Sequence, residues 1–393
     1  MRIWRRGLIS LVLLTMVSGC WSAKELNTLG IVVAMGIDKA SNGRYLVTFQ
    51  VVDPSQMSVQ KTQNRSPVFL YKQEAQTIFE AVRKVTTKSS RRLYGAHIQI
   101  VVLGESLARD GISQPMDILF RDFEVRPNVY IAVAKRKRAE DIVALVTPFE
   151  IIPAIDMAKS LEVSEKAWAP SVATTVLELM QMLQSHTRQP VITGIALIGN
   201  IQGGMSMKNV ENPLSEAEYQ YQGLAVFRKD RLIGWLNETE SKAYSYLTNR
   251  VKNTVGKVSC PNGGLFAVKI NQAAASLKPS LRNGKPVMDV SMVIKGDIGE
   301  VQCQVDLTKE KTILVMQRSA EKQLHNIVNQ GITTMQNKYK VDNLGFGEAF
   351  HRKYPLYWNS HKDEWDELFS KMDVNLEFKV KLRTLGKINN PIN

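Results

Sequence analysis

Apolar positions recur along this chain with two periods, and together they predict a mixture of strands and helices. Residues 29–38 and 44–52 read as two strands, the second alternating, around the Asn-Gly turn in Ala40-Ser41-Asn42-Gly43, so a hairpin is expected. Asp53-Pro54 ends it, and the polar run 55–66 reads as a loop. A strand over 68–73 leads into a helix near 75–87, where Ile78, Phe79, Val82 and Val85 form one stripe. Strands near 98–103 and 129–134 enclose short helices around 106–109 and 114–120, and a helix over 139–146 runs into Pro148. From 151 to 185 the pattern is helical, broken at Trp168-Ala169-Pro170, and 191–198 reads as a buried strand.

The stretch 200–219, with Gly203-Gly204 and Asn212-Pro213, reads as a linker. Beyond it, 223–227, a Lys229-Asp230 turn and 231–236 predict a second hairpin, followed by a helix around 238–251 and a further boundary near 257–264. Strands near 265–270, 274–278, 287–295 and 301–306 predict an antiparallel sheet. Ile313, Leu324, Ile327, Val328 and Met335 line one side of a helix over about 309–338, expected to cross that sheet. Trp365 falls on a short last helix, and 373–383 alternates as a closing strand. The irregular order of elements predicts the α+β class rather than a regular βαβ sheet: mixed, largely antiparallel sheets flanked by helices.

The first residues change this picture. Arg2, Arg5 and Arg6 precede an apolar run of eleven residues, 7–17, and Val17-Ser18-Gly19-Cys20 closes it with small residues before a cysteine. Crossing a bilayer takes roughly 20 apolar residues, so the run is too short for a spanning helix. Its layout is that of a lipoprotein signal peptide. Cleavage between Gly19 and Cys20 is expected, with Cys20 carrying an S-diacylglycerol and an N-acyl chain. Each buried CH₂ adds about 0.8 kcal/mol of membrane affinity, so several chains hold firmly where one is marginal. The expected product is a multi-domain ectodomain fixed to the extracytoplasmic face of a membrane. Its expected parts are the leader 1–19, an N-terminal α+β domain 20–200, a small middle α/β domain with linker 201–257, and a C-terminal α+β domain 258–393 with the long helix.

The 393 residues carry a net charge of +14, and loss of the three leader arginines lowers it to +11. On a tethered exported protein this favours anionic lipid headgroups or an acidic partner. No nucleic-acid-binding motif is present, and nucleic acid is not an expected partner. Only Cys260 and Cys303 remain to pair. Alternation in Val301-Gln302-Cys303-Gln304-Val305 places Cys303 on the apolar face of a strand, which predicts a buried free thiol.

Four blocks carry a resemblance. They are Gly19-Cys20-Trp21 with Glu25-Leu26-Asn27 and Ile37-Asp38; 91–104 with His97, together with 121–126; Gly223-Leu224-Ala225-Val226-Phe227 through Leu232, Gly234 and Leu236; and Leu344-Gly345-Phe346-Gly347 through Pro355, Trp358 and Trp365 to Gly386. In order and over nearly the whole chain, they resemble the Ger(x)C spore germination lipoproteins, the C subunits of nutrient germinant receptors. The resemblance implies a three-domain α/β ectodomain without known catalysis. It also implies a place on the outer face of the spore inner membrane, beside membrane-embedded A-type and B-type receptor subunits. Ser22-Ala23-Lys24 departs from the charged residues that commonly follow the family's Cys-Trp, which alters contacts near the membrane without touching the lipidation site.

Other chemistry finds little support. Gly256-Lys257, Gly284-Lys285 and Gly386-Lys387 lack the following Ser or Thr of a phosphate-binding loop. The Ser-x-x-Lys spacings at Ser58–Lys61 and Ser319–Lys322 lack companion motifs. His351, His361, Asp363 and Glu364 read as surface residues rather than metal ligands. His97 reads as a satisfied histidine at a sheet end, and 135–138 as a solvated turn with a headgroup or partner contact as its functional alternative. Phe346, Tyr354, Tyr357, Trp358 and Trp365 read as a packed aromatic cluster. No catalytic, metal or cofactor residues are expected. The function expected is a non-catalytic receptor subunit; the alternative is a solute-binding lipoprotein of an importer, which would need two similar lobes around a cleft.

Overall fold

The computed structural model describes Trp4 and residues 28–52, 66–121, 124–260 and 263–384. The first sheet is built from Leu29–Lys39 (β1), Tyr45–Val52 (β2), Val68–Ala75 (β3), Arg92–Tyr94 (β4), Ile100–Gly104 (β5), Tyr130–Ala134 (β6), Val191–Gly199 (β7), Ala217–Arg228 (β8) and Arg231–Leu236 (β9). Its order is β3-β2-β1-β5-β6-β7-β8-β9, with β4 beside the start of β1. The centre, β1-β5-β6-β7, is parallel, and antiparallel pairs extend it on either side. Central parallel strands are buried on both faces, and β5 reads accordingly as Ile100-Val101-Val102-Leu103, all buried. In β1 a bulge between Val32 and Ala34 shifts the alternation. Val32, Met35 and Ile37 therefore face one core, and Val33 and Ala34 the other.

Buried polar side chains join β1 and β2 to the helices on one face. Asp38 accepts from the Ala139 and Glu140 N–H groups at 2.8 and 2.9 Å, at the start of helix Ala139–Val143. Gln50 donates to the Val143 carbonyl and accepts from the Ala154 N–H, at 2.8 and 3.1 Å. The stretch 200–219 holds two short helices, Ile201–Gly204 and Lys208–Glu211. Asn209 is buried there, bonded to Val146 and Ala217.

The second sheet is Thr254–Ser259 (β10), Leu265–Arg282 (β11), Lys285–Val301 (β12) and Asp373–Thr384 (β13), in the order β10-β11-β12-β13. The first three strands run antiparallel, and β13 lies parallel to β12. The helix Glu310–Thr333 lies against this sheet through Met316, Ala320, Leu324, Val328 and Ile332, and a π-helical turn, Thr334–Tyr339, ends it. The chain is thus a mixed α+β structure. One continuous core contains Val191, Leu224, Val226 and Leu236 of the first sheet together with the buried residues of the second.

Two expectations are corrected. Residues 301–306 are not a strand, because the ladder ends where Phe266 faces Val301. Cys303 is not a free thiol: it is bonded to Cys260, with Cα atoms 6.4 Å apart and a sequence separation of 43. Cys260 lies just past Ser259, which faces Leu265, so both cysteines leave the sheet at one end. The Gln302 N–H donates to the Leu265 carbonyl and the Cys260 N–H to that of Gly264, which brings the sulfurs together.

Candidate functional site

Gly19 and Cys20, the expected cleavage and lipidation residues, lie outside the described residues, as does the Ser58–Lys61 pair. The edge from which the chain leads back toward them is defined by strand register. Leu29 faces Arg92, while Ile31 faces Tyr94 and Val52, and Val52 faces Val68. Helix Ile78–Lys84 starts at the Thr77 cap beyond the far end of β3 and returns to this edge. Arg91 and Arg92 therefore lie beside the start of β1, with Arg83 and Lys84 on the last turn of that helix and Lys88 donating back to the Lys72 carbonyl at 3.1 Å. Arg121 joins them across a cavity of about 460 Å³ lined by Phe79, Val82, Leu93 and Ile118.

Three of these cations have acidic partners: Lys84 with Glu80 at 2.6 Å, Arg92 with Glu124 at 3.0 Å and Arg121 with Asp117 at 2.8 Å. The Arg83 guanidinium lies 5.0 Å over the exposed Phe79 ring. Exposed ion pairs contribute only about 0–1 kcal/mol each. The cluster's larger consequence is its field, which draws anions toward the edge that precedes β1.

The second feature is the buried carboxylate of Asp342. Its Oδ1 accepts from the N–H groups of Leu344, Gly345 and Phe346 at 3.0, 3.0 and 3.2 Å. Its Oδ2 accepts from the Gly347 N–H at 2.6 Å and the Trp365 indole at 3.0 Å. Burial pushes this carboxyl above the ordinary aspartate range, and the indole and backbone donors pull the other way. Asp342 thereby fixes the start of helix Phe346–Lys353 and docks the aromatic helix that follows. Gly347 is required at its position, since a Cβ there would lie 2.8 Å from both the Thr187 carbonyl and Trp358.

The same segment joins the two sheets. The Gln189 N–H donates to the Asp342 carbonyl at 3.0 Å, and the Asn343 amide donates to the carbonyls of Pro190 and Phe227. Beside it opens a cavity of about 460 Å³ edged by His186, Lys229, Asp363 and Asp366. Burial raises the Asp366 carboxyl, against the pull of Arg228. Asp342 was not among the residues singled out from sequence. The one local signal was an aspartate three residues before the first glycine of Gly345-Phe346-Gly347, the spacing of a side chain that closes a turn on its own backbone.

The remaining candidates take structural places. Phe346, Phe350, Trp358 and Trp365 are buried, with Trp358 and Trp365 edge to face at 4.8 Å and Tyr354 and Tyr357 beside Phe350. His97 is exposed, its ring edge-on to Tyr94 at 6.0 Å. In the 135–138 run, the Arg136 N–H donates to Glu105 at 2.8 Å, and Lys135 sits 5.3 Å over the Trp235 ring. Glu105 also accepts from Trp235 and Arg109. Ser319 and Lys322 lie on the long helix. Ser360 Oγ lies 2.9 Å from His361 Nδ1, but that nitrogen is also 2.8 Å from the Tyr357 carbonyl, which only accepts. The nitrogen must therefore carry the proton, and it is no base for Ser360. Among the described residues no cluster of His, Cys, Asp and Glu is placed to hold a metal.

These features belong to a known class. Residues 22–197 match the family described as "Spore germination protein N-terminal domain", and residues 222–386 the family described as "Spore germination B3/ GerAC like, C-terminal". The chain belongs to this spore germination family. It is 32% identical to Spore germination protein KC of Bacillus subtilis (strain 168), over 99% of this chain and 98% of that one. It is 26% identical to Spore germination protein B3 of the same organism, over 94% and 95% of the two chains. The crystal structure of the GerBC protein shares the fold, with a TM-score of 0.58 at 21% identity, covering 88% of this chain and 96% of that one.

Proposed function

We propose that this chain is a lipid-anchored, non-catalytic subunit of a spore nutrient germinant receptor, held on the extracytoplasmic face of the spore inner membrane by lipids on Cys20. It acts there through contacts with membrane-embedded A-type and B-type subunits. The observation that carries the reading is the end-to-end likeness to Spore germination protein KC, which extends over the leader as well as both sheets. The basic edge at the start of β1 supports it, because eight residues separate Cys20 from Leu29. Even fully extended, at about 3.5 Å per residue, they keep that edge within roughly 30 Å of the acyl chains. Among the described residues no helix is long and apolar enough to cross a membrane.

The two sheets differ in size and strand order and share one core, unlike the paired similar lobes of a solute-binding protein. Confinement beside membrane partners raises effective concentration without any new contact. Cys20→Ala is expected to move the protein from the membrane to the soluble fraction of spores and to abolish or strongly weaken the response to its nutrient. Membrane retention with an unchanged response overturns the proposal.

A further inference from the structure

A third cavity, of about 410 Å³, lies on the far side of the first sheet from the basic edge, between residues 145–149, helix Pro153–Ala167 and the start of β8. Asp156 lines it at 9% exposure and Thr147 at 5%. Thr147 Oγ1 is buried without a well-formed hydrogen bond and lies close enough to Asp156 to favour its ionised form. Ser160 and Tyr219 add two more hydroxyls, and that of Tyr219, facing both Asp156 and Ser160, also favours the ionised form of Asp156. The nearest cation, Lys159, is engaged elsewhere, donating to Glu150 at 2.6 Å. The walls and mouth are largely apolar, with Pro148 and the side chains of Phe149 and Val163, which are 91% and 62% exposed, while Ser215 and the carboxylate residue Glu218 complete the lining.

A buried carboxylate beside an unpartnered hydroxyl is costly unless a cation and donors meet it. An apolar cavity with a few convergent polar groups is the form a small-molecule site takes. We infer that this cavity binds a primary ammonium group carried on an apolar body. The ammonium donates to the Asp156 carboxylate, to Thr147 Oγ1 and to one of the Ser160 or Tyr219 oxygens, while the apolar body packs on Phe149, Pro148 and Val163. The fit is to charge as well as shape: Glu150 adds negative charge near Asp156, in a chain that is otherwise basic. Burial raises the Asp156 carboxyl above its ordinary value, so bound ammonium holds its proton off and affinity falls as pH drops through that range. The inference does not depend on the lipid anchor.

The test uses residues 20–393 with Cys20→Ser, which retain every described strand, and titrates 2-phenylethylammonium by calorimetry near pH 7. Saturable binding is expected. The neutral 2-phenylethanol and the anionic phenylacetate should bind at least about tenfold more weakly, corresponding to about 1.4 kcal/mol. Methylammonium should do the same, because it lacks the apolar body. Asp156→Asn should reduce the affinity about tenfold or more, and Thr147→Val severalfold. Nα-acetyl-lysine amide distinguishes the source: tighter binding than 2-phenylethylammonium assigns the site to a lysine side chain of a partner, weaker binding to a free amine. The inference is overturned by 2-phenylethanol binding as tightly as the ammonium, by unchanged affinity in a folded Asp156→Asn, or by no saturable binding of either amine. Should Asp156→Asn fail to fold, equal affinity of Thr147→Val and the parent overturns it.

Discussion

Asp342 concentrates five donors on one carboxylate in the segment that joins the sheets. Asp342→Ala strands those N–H groups, each buried unsatisfied group costing about 1–3 kcal/mol. A loss of more than about 3 kcal/mol is therefore expected, measured as a lower urea midpoint. Asp38, Asp156, Asp342 and Asp366 share one sign: burial raises all four folded carboxyls above the ordinary value. Such a group holds its proton more tightly folded than unfolded. Its stabilising effect is thus present at low pH and lost as pH rises through the folded value. Asp156→Asn, which removes one of them, is expected to gain more stability near pH 7 than near pH 4, read from urea unfolding at both. Glu105 has the opposite sign. Burial alone would raise it, but the Arg136 N–H, Trp235 and Arg109 outweigh burial and lower it, so its contribution is lost as pH falls.

At the scale of elements, the long helix crosses helix Glu238–Leu247 where Gly331 meets Ala243. A Cβ on Gly331 would come within 2.3 Å of the Ala243 methyl. Alanine is the better helix former by about 1 kcal/mol, yet overpacking costs about 1–3 kcal/mol. Gly331→Ala is expected to lower the thermal midpoint, and an unchanged or higher midpoint would show that the crossing has room. Most elements were legible from periodicity. β11 was not: bulges before Val268 and Gln272 change its phase. Phe266, Val268 and Ile270 face the core in one register, and Ala273, Ala275 and Leu277 in the other. A single strand therefore reads as two. β4 was missed because three residues are too few to show a period. The disulfide was missed because which strand ends meet is a property of register, not of the sequence around Cys303.

For the whole molecule, the shared core and the Asp342–Asn343 segment argue against independent halves. Heating or urea is expected to give a single transition with coincident circular dichroism and tryptophan fluorescence. Two separated transitions would show that the sheets fold independently. The family blocks fall largely on joints: Ile37-Asp38 on a helix start, Gly223 to Leu236 on the shared core, and Gly345-Phe346-Gly347 on the Asp342 carboxylate. That is why resemblance found the architecture more readily than the cavities, whose walls come from segments distant in sequence. The sulfur bridge spans 43 residues, and closing a loop of that length stabilises by roughly 4 kcal/mol. Cys303→Ser is expected to lose a comparable amount, by chemical denaturation under oxidising conditions.

That bridge also bears on where the polypeptide matures. Thiols oxidise and stay joined outside the reducing cytosol, so on the proposed extracytoplasmic placement β11 and β12, the two strands enclosed between Cys260 and Cys303, gain their covalent lock only after translocation. A copy stalled inside the cell would be the weaker form, open to proteolysis at the sheet end where Cys260 and Cys303 meet.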